Sequence, residues 1–272
     1  MKLKVMQYNI LHGFYNPLHN KDMSFDFEGD RLMAAQKAVK KENPDVLVLN
    51  EACFAEKSRW SILMDYPKLF NYPHHYHAPS GYEWGISVLS RFPIVERENY
   101  SLPNCPFARI TLDLKGYKLG LNVLHPHPTL TEEEKMRFVQ SSLRDIKHPC
   151  LVVGDFNALS DEDDYNFDKL YRGFSNFDKH ASNTVKEFKK RLPIRAILDK
   201  RLRDTFIVAR NPWNYTIPTD HCSKNKDSAM RIDYIFCSND IGVKDAYVVK
   251  NNFTEKASDH YPIVAVLDIK KK

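Results

Sequence analysis

Short apolar segments and amphipathic segments alternate along the first part of this chain. Leu3–Leu11 alternates apolar and polar residues, which is typical of a half-buried strand. Arg31–Lys41 has apolar residues at helical spacing, and Asn43-Pro44 ends that pattern. Asp45–Glu51 follows as an apolar strand that closes on a carboxylate. The order predicts a β-α-β unit.

A second unit with the same order begins near the middle of the chain. Leu119–Leu124 predicts a strand, and Thr131 with Glu134 forms a capping box that opens an amphipathic helix. His148-Pro149 ends that helix, and Cys150–Asp155 is the next strand. Both units place polar residues after the carboxyl ends of strands, where open α/β folds bind ligands.

Further segments have the composition of strands. They are Ile86–Ser90, Phe107–Leu112, Thr205–Ala209, Arg231–Cys237, Val243–Val249 and Ile263–Ile269. So many strands for so few helices predict two sheets packed face to face with helices outside. We expect a single domain over residues 1–272, with a helical, basic insertion at about 160–203.

Composition and charge add little to this picture. The chain is 43% hydrophobic with a net charge of +5, which is compatible with an anionic substrate. Its five cysteines are scattered singly, which argues against a disulfide framework or a zinc site and fits a reducing compartment. No apolar run reaches the roughly 18 to 20 residues of a membrane span, and no signal peptide is evident. We expect a cytoplasmic monomer without a transmembrane segment.

The segment 151–157 carries the sharpest polar signal. An apolar run stops at Gly154, and Asp155 and Asn157 follow. Alternation along a strand would point these two side chains to the same side. A carboxylate and an amide presented together can orient and deprotonate a water, although an ordinary turn after a strand uses the same residues.

A second carboxylate lies inside an apolar run. Asp233 belongs to the segment 231–237, where an unpaired charge would cost several kcal/mol. His260 is a candidate partner, because an Asp–His pair fixes the imidazole tautomer and raises its basicity. Two structural interpretations stay open: Asp233 could pair with Arg231, and His260 could be an ordinary half-buried histidine.

Three further polar residues follow or precede apolar strands. Asn9, Glu51 and Asp259 supply the hard oxygen ligands that Mg²⁺ prefers, since this ion keeps several waters and uses one or two carboxylates. Asn9 could instead be a simple turn residue.

Taken together, these segments resemble the ordered motifs of the endonuclease/exonuclease/phosphatase superfamily, which includes deoxyribonuclease I. The motifs are Tyr8-Asn9-Ile10, Asn50-Glu51, Gly154-Asp155-Phe156-Asn157, Arg231-Ile232-Asp233-Tyr234-Ile235 and Ser258-Asp259-His260. The resemblance implies an α/β fold, a four-layer α-β-β-α sandwich of two mixed β-sheets with outer helices. The chain departs from the family at Asn50, where Gln is usual, and this departure puts a hydrogen bond beside the metal ligand in doubt.

The resemblance also implies roles at a metal and a water. Glu51, with Asn9 and Asp259, would hold Mg²⁺ (or Mn²⁺) against the phosphate. Asp155 would orient or deprotonate the attacking water, and Asn157 would position the water or the phosphate. These assignments describe metal-assisted hydrolysis of a phosphoester.

The remaining candidates act on the phosphoryl group. His260, held by Asp233, would donate to its oxygens, and His125 would bind phosphate or protonate the leaving group. His125 resembles a histidine of the deoxyribonuclease I, sphingomyelinase and deadenylase branches that the apurinic endonucleases lack. Arg109 is a weaker candidate for a bidentate phosphate contact, and Asp204 is expected to be structural.

Three functions compete at this stage. The first is a Mg²⁺-dependent phosphodiesterase or nuclease acting on nucleic acid. Its support is a basic run and several loop aromatics that could stack on bases. The basic residues are Lys186, Lys189, Lys190, Arg191, Arg195, Lys200, Arg201 and Arg203, and the aromatics are Trp213, Tyr215, Tyr82 and Trp84.

The second function is a phosphoesterase of lipid head groups or small phosphorylated metabolites, and the third is a binding module that lost the chemistry. A charge run such as the basic one is usually a solvated helix face. The histidines His127, His74, His75 and His77 match no motif and are interpreted as surface or loop residues.

Overall fold

The computed structural model of the protein describes residues 1–16, 26–53, 64–80, 84–102 and 105–270. Its strands are β1 (Lys2–Asn9), β2 (Tyr15–Asn16), β3 (Asp26–Phe27), β4 (Val46–Cys53), β5 (His74–Ala78), β6 (Trp84–Ser90), β7 (Ile94–Leu102), β8 (Cys105–Leu114), β9 (Tyr117–Leu124), β10 (Cys150–Asp155), β11 (Arg203–Asp204), β12 (Asp233–Cys237), β13 (Ile241–Val248) and β14 (Ile263–Ile269). Its helical segments are α1 (Leu11–Phe14), α2 (Gly29–Glu42), α3 (Tyr66–Phe70), α4 (Glu132–Ser142), α5 (Phe167–Phe174), α6 (Ala181–Phe188), α7 (Leu192–Leu198), α8 (Thr205–Ala209) and α9 (Thr254–Ala257).

The strands form two six-stranded sheets and a small two-stranded ribbon. The first sheet has the order β13-β14-β1-β4-β6-β5, the second has the order β11-β12-β10-β9-β8-β7, and β2 pairs with β3. Strands β1 and β4 are parallel, and so are β9 and β10. These pairs, with α2 and α4 between them in sequence, are the two predicted β-α-β units.

Apolar side chains fill the space on both faces of each sheet. The inner faces pack on each other through residues such as Val48 and Val153. Leu32 and Val39 of α2 cover the outer face of the first sheet, and α4 and α7 cover the outer face of the second. Fully burying one such aliphatic side chain stabilises the fold by about 1.5–3 kcal/mol. The predicted four-layer α-β-β-α sandwich is confirmed.

One predicted strand is wrong. Thr205–Ala209 forms helix α8, because the carboxylate of Asp204 accepts a hydrogen bond from the amide of Phe206 at 2.9 Å and caps the helix. The segment contains residues typical of strands, but the cap satisfies an amide that a helix start leaves without a partner.

The sequence did not predict the two-residue strands β2, β3 and β11 or the longer strands β5 and β7. Strands β5 and β7 each lie at the edge of a sheet. β5 contains His74, His75 and His77, and the exposed segment 95–99 of β7 carries several charges. Polar residues are tolerated there because an edge strand need not bury both faces, and they discourage pairing with other chains.

The segment 160–203 contains the helices α5, α6 and α7. Part of its basic charge is neutralised locally, since Lys190 pairs with Glu187 and Arg195 pairs with Asp161. These cations are therefore less available to an external phosphate. Within the described ranges, no helix is long and apolar enough to cross a membrane.

Candidate active site

The polar residues singled out in the sequence meet at one edge of the sandwich. Asn9 ends β1, Glu51 lies near the end of β4, and Asp155 ends β10. Asp233 opens β12 directly opposite Asp155, and His260 precedes β14. Because β12 and β14 run antiparallel to β10 and β1, their beginnings lie beside the ends of those strands.

Asp233 and His260 form a buried pair. His260 Nδ1 lies 2.8 Å from Asp233 Oδ2, and the side chains are 5% and 0% exposed. Burial alone would lower the pKa of His260, but the charges of Asp233, Asp259 and Asp155 raise it well above 6.5. The imidazole is therefore protonated at neutral pH. Arg231 forms its ion pairs with other carboxylates, so it is not the partner of Asp233.

Asp155 lies at the centre of the site. Its Oδ2 accepts a hydrogen bond from the side chain of Asn9 at 3.0 Å. The Nε2 atoms of His125 and His260 lie 3.7 Å and 3.8 Å from the same oxygen, beyond hydrogen-bond distance. His125 Nε2 is buried and has no hydrogen-bond partner among the described residues. Burial and the charge of Asp233 raise the pKa of Asp155 to about 6.

Asn9 joins Asp155 to Glu51. Its amide nitrogen donates to Glu51 Oε1 and to Asp155 Oδ2, each at 3.0 Å. Glu51 Oε2 accepts the backbone amide of His12 at 2.9 Å. Burial alone would raise the pKa of Glu51, but the charges of His12 and His125 and these hydrogen bonds lower it to about 2. Glu51 is ionised at neutral pH.

A left-handed turn brings His12 into the site. Residues 11–14 all have positive φ, and this costs about 1–2 kcal/mol at each of the three that are not glycine. Arg31 supports the turn by donating to two of its carbonyl groups at 2.9 Å and 3.0 Å. His12 Nε2 lies 3.5 Å from Glu51 Oε2, and its ring lies 4.8 Å from that of Trp84. Sequence analysis missed His12, because a left-handed turn leaves no period in the hydrophobic pattern.

Asn157 does not continue the strand as expected. β10 ends at Asp155, and Asn157 has a φ of 47°, so strand alternation does not determine its direction. Its side chain donates to the carbonyl of Pro126 at 3.1 Å, and its own carbonyl accepts from Lys135 at 2.7 Å. Its amide donates to Asp155 Oδ1 at 2.9 Å. Asn157 therefore fixes the Asp155 carboxylate through its backbone.

Arg109 lies away from this group, on the outer face of the second sheet beside Phe107. Its guanidinium donates to Asn122 Oδ1 at 3.1 Å and to the carbonyl of Ser142 at 2.8 Å. It also pairs with the exposed carboxylate of Glu98. The expected phosphate contact of Arg109 is not supported, because strand alternation turns this side chain away from the space between the sheets.

The carboxylates at this edge suit a divalent cation. Glu51 is ionised, and Asp259 is half-buried near Asn9. The Ser258 hydroxyl lies 2.7 Å from the carbonyl of Asn9 and 3.1 Å from a carboxylate oxygen of Asp259. Carboxylate oxygens are hard donors of the kind that divalent cations take as ligands. The Asn9 side chain points its nitrogen toward the carboxylates, so it contributes as a donor in this arrangement.

Asp155, Asp233 and His260 also lie close enough together to hold an ion. A protonated imidazole has no lone pair to give to a metal, however. His260 is held in that protonated state by the carboxylates around it. Asp233 already bonds to His260 at 2.8 Å within this group of three.

Comparisons with known proteins agree with this geometry. The model of the Endonuclease/Exonuclease/phosphatase family matches residues 6–260. None of the curated proteins matches the sequence significantly. The endonuclease/exonuclease/phosphatase from Bacteroides vulgatus has a similar structure, with a TM-score of 0.69 and 15% identity over 99% of this chain and 100% of that chain.

Two further similar structures are of the protein TDP2. D. rerio TDP2 complexed with a single-strand DNA product has a TM-score of 0.65 and 17% identity, and the match covers 98% of this chain and 99% of that chain. Truncated Caenorhabditis elegans TDP2 has a TM-score of 0.61 and 18% identity, with 98% and 97% covered. At these identities the structural likeness establishes the fold.

The family match extends from before Asn9 to His260, so it includes every residue that the structure gathers at the site. Sheet order, strand-end placement and the Asp233–His260 pair are all in keeping with it. The chain belongs to the endonuclease/exonuclease/phosphatase family, whose members hydrolyse phosphoester bonds.

Proposed function

We propose that this protein is a Mg²⁺-dependent (or Mn²⁺-dependent) phosphodiesterase that acts on nucleic acid. One observation carries the proposal: Asp155 Oδ2 lies 3.7 Å and 3.8 Å from the Nε2 atoms of His125 and His260. These gaps are too long for direct hydrogen bonds, and they leave a base and two nitrogen donors facing a common space.

Asp155 serves as the general base in this proposal. Its raised pKa of about 6 keeps it ionised at neutral pH while leaving it basic enough to accept a proton from water. The Asn157 amide and the Asn9 side chain fix the two carboxylate oxygens by hydrogen bonds of 2.9 Å and 3.0 Å. Asp155 is thereby held in one orientation toward the water that attacks phosphorus.

The two histidines serve as donors. Asp233 holds His260 through Nδ1, so Nε2 carries a proton toward the phosphoryl oxygens as negative charge builds on them. His125 Nε2 has no partner among the described residues and is placed to bind phosphate or to protonate the leaving oxygen. A positioned acid or base of this kind contributes about 10²–10⁴-fold to a rate.

Glu51 and Asp259, with Asn9 nearby, would hold the metal ion, which when bound supplies Lewis-acid polarisation of a phosphate oxygen. Glu51 is prepared for this role because its carboxylate is ionised and held by Asn9 and His12.

Nucleic acid is the preferred substrate on two grounds. The similar structure of D. rerio TDP2 contains a single-strand DNA product. The chain also carries a net charge of +5, which favours a polyanion. The basic helices at 160–203 add less than their composition indicates, because some of their cations are paired locally.

The test is a cleavage panel with Mg²⁺ and with EDTA, run on wild type, Asp155→Ala and Asp161→Ala. The panel holds single- and double-stranded DNA, RNA, sphingomyelin and inositol polyphosphates. We expect metal-dependent cleavage of nucleic acid that falls by about 10²–10⁴-fold in Asp155→Ala. Asp161→Ala, which removes an exposed carboxylate from a surface ion pair, is the control and should keep the wild-type rate.

Two results would contradict the proposal. Wild-type turnover in Asp155→Ala would remove the assigned base. Metal-dependent cleavage of only the lipid or the inositol phosphates would keep the mechanism and replace the substrate class.

A further inference from the structure

A cavity of about 390 Å³ opens beside the catalytic group and has no role in the mechanism above. It touches that group at Glu51 and His125. Its other lining residues are His12, Ser80, Trp84, Pro106, His127 and Pro128. The volume falls in the range of about 300–1,000 Å³ that is usual for small-ligand sites.

Two aromatic rings form one wall of this cavity. The rings of His12 and Trp84 are 4.8 Å apart and inclined by 31°, and both side chains are half-buried. Prolines Pro106 and Pro128 contribute further flat apolar surface. These rings and prolines give the lining flat apolar surface against which a planar ring can pack.

The backbone that carries His12 is strained. His12 has φ 50° and ψ 37°, a conformation that costs a non-glycine residue about 1–2 kcal/mol, and the neighbouring residues 11 and 14 share the positive φ. Strain of this kind persists where the surrounding structure enforces it, and it gathers at functional sites. Here the turn sets an imidazole between Glu51 and Trp84.

The cavity also offers a directional hydrogen bond. His127 Nδ1 lies 3.3 Å from the backbone amide of Thr129, which donates to it. Nδ1 also lies 2.7 Å from the Thr129 hydroxyl, so Nδ1 is engaged by Thr129. Burial and the charge of His125 lower the pKa of His127, so the ring is neutral at pH 7. The imidazole of His127 adds a polar group to the lining, which the polar edge of a nucleobase can contact.

We propose that this cavity binds the base of a nucleotide adjoining the scissile phosphodiester, with the base stacked on the His12–Trp84 wall. The inference rests on the proposed function, because it takes the phosphate to lie at Glu51 and His125. It adds a base-binding subsite, and it makes Trp84 and His12 specificity-determining residues rather than catalytic ones.

The test measures binding and needs no turnover. Adenosine 5′-monophosphate and ribose 5-phosphate share a sugar and a phosphate and differ by the base. Isothermal titration of wild type with each compound gives the ratio of the two dissociation constants. Stacking of one base on an aromatic side chain predicts that the nucleotide binds about 10-fold more tightly.

Three variants locate the effect. Trp84→Ala should bring the ratio close to one, and Trp84→Phe should keep most of it. His12→Gly should also lower the ratio while the unfolding temperature is maintained, because glycine adopts a φ of 50° without strain. Trp213→Ala is the matched control, since Trp213 packs on Tyr165 and does not line the cavity. Its ratio should equal that of wild type.

Several outcomes would overturn the subsite. Equal affinity of wild type for the two phosphates, or no binding of either, removes the base contact. A ratio that survives Trp84→Ala places the base elsewhere. Phosphocholine that binds more tightly than ribose 5-phosphate, and loses this advantage in Trp84→Ala, would reassign the cavity to a lipid head group. Each of these results is independent of the Asp155→Ala turnover test, so the subsite and the reaction can fail separately.

Discussion

Two buried clusters of the molecule contain the same kinds of charged group, but the hydrogen bonding within them differs. One consists of Arg231 with Asp163 and Asp204, and the other of His260 with Asp155 and Asp233. Arg231 and Asp233 are separated by a single residue, so the two clusters share a strand and its lead-in. Each holds two carboxylates and one cation.

We call the Arg231 cluster filled, because its cation bonds to both of its carboxylates. Its guanidinium makes two bonds of 3.0 Å to Asp163 and one of 2.6 Å to Asp204, and it lies 4.4 Å from the ring centre of Tyr234. Tyr165 adds a further donor to Asp163 at 3.1 Å. A planar guanidinium is always charged and fits two carboxylates at once, so no space remains for another molecule. The expectation that Asp204 is structural agrees with this geometry.

We call the His260 cluster open, because its cation bonds to only one of its two carboxylates. Only one of its nitrogen atoms is within hydrogen-bond distance of a carboxylate, and its Nε2 stays 3.8 Å from Asp155. His125 approaches the same oxygen to 3.7 Å without bonding to it. Burial and the like charge of Asp233 together shift the pKa of Asp155 upward. Packing alone therefore does not account for this cluster.

The comparison predicts that Arg231→Met is the most destabilising change. Removing the guanidinium leaves two buried carboxylates without a cation, which costs about 3–5 kcal/mol. We expect this loss in urea unfolding at pH 7. The triple variant Arg231→Met with Asp163→Asn and Asp204→Asn removes the charges as well and should recover a large part of the loss. Equal stability of Arg231→Met and wild type would mean that the filled cluster is dispensable.

At the open cluster, we expect the ionisation of a carboxylate to destabilise the fold. The folded state raises the pKa of Asp155 from 3.8 to about 6, so the folded protein binds this proton more tightly than the unfolded chain does. As pH rises from about 4 to about 6, wild type therefore loses stability relative to Asp155→Asn, which cannot ionise. Two pKa units correspond to on the order of 3 kcal/mol.

This second prediction is measured by urea unfolding in EDTA between pH 4 and pH 8. The stability of wild type minus that of Asp155→Asn should fall up to about pH 6 and then stay level. A stability difference that does not vary with pH would mean that the folded state does not raise the pKa of Asp155. The two clusters would then not differ in this respect.

The sequence was most informative where hydrophobic periods are strong. The β-α-β units were predictable from alternation in Leu3–Leu11 and helical spacing in Arg31–Lys41. The pairing of Asp233 with His260 was predictable as well, because a carboxylate inside an apolar run requires a partner.

Other features depend on backbone geometry that no period records. Asn157 has a positive φ and lies beyond the end of β10 at Asp155. Strand alternation therefore did not predict the direction of its side chain. His12 enters the site through a left-handed turn. Arg109 looked like a phosphate ligand by residue type, but its place in the alternation of β8 sends it to the outer face. Residue type alone does not tell which face of a sheet a side chain takes.

The smallest predicted effect concerns the family position where Asn50 replaces the usual Gln. The side-chain amide of Gln7 donates to Asn50 Oδ1 at 3.0 Å and to Asp233 Oδ1 at 2.8 Å. All three side chains are fully buried, and Gln7 links the first sheet to Asp233 of the second. It is a positioning residue for Asp233, and through Asp233 for His260.

Gln7→Leu should lower kcat by about tenfold, which is about 1.4 kcal/mol, and leave KM nearly unchanged. The expected cause is a misplaced imidazole rather than weaker substrate binding, because Gln7 lies behind Asp233 and does not face the phosphate. Gln36→Leu is the matched control: Gln36 donates to the carbonyl of Leu69, far in the fold from Asp233, and its loss should not change kcat. A rise of KM as large as the fall of kcat in Gln7→Leu would instead indicate that the whole open cluster has rearranged. The comparison of the two clusters would then rest on the Arg231 variants alone.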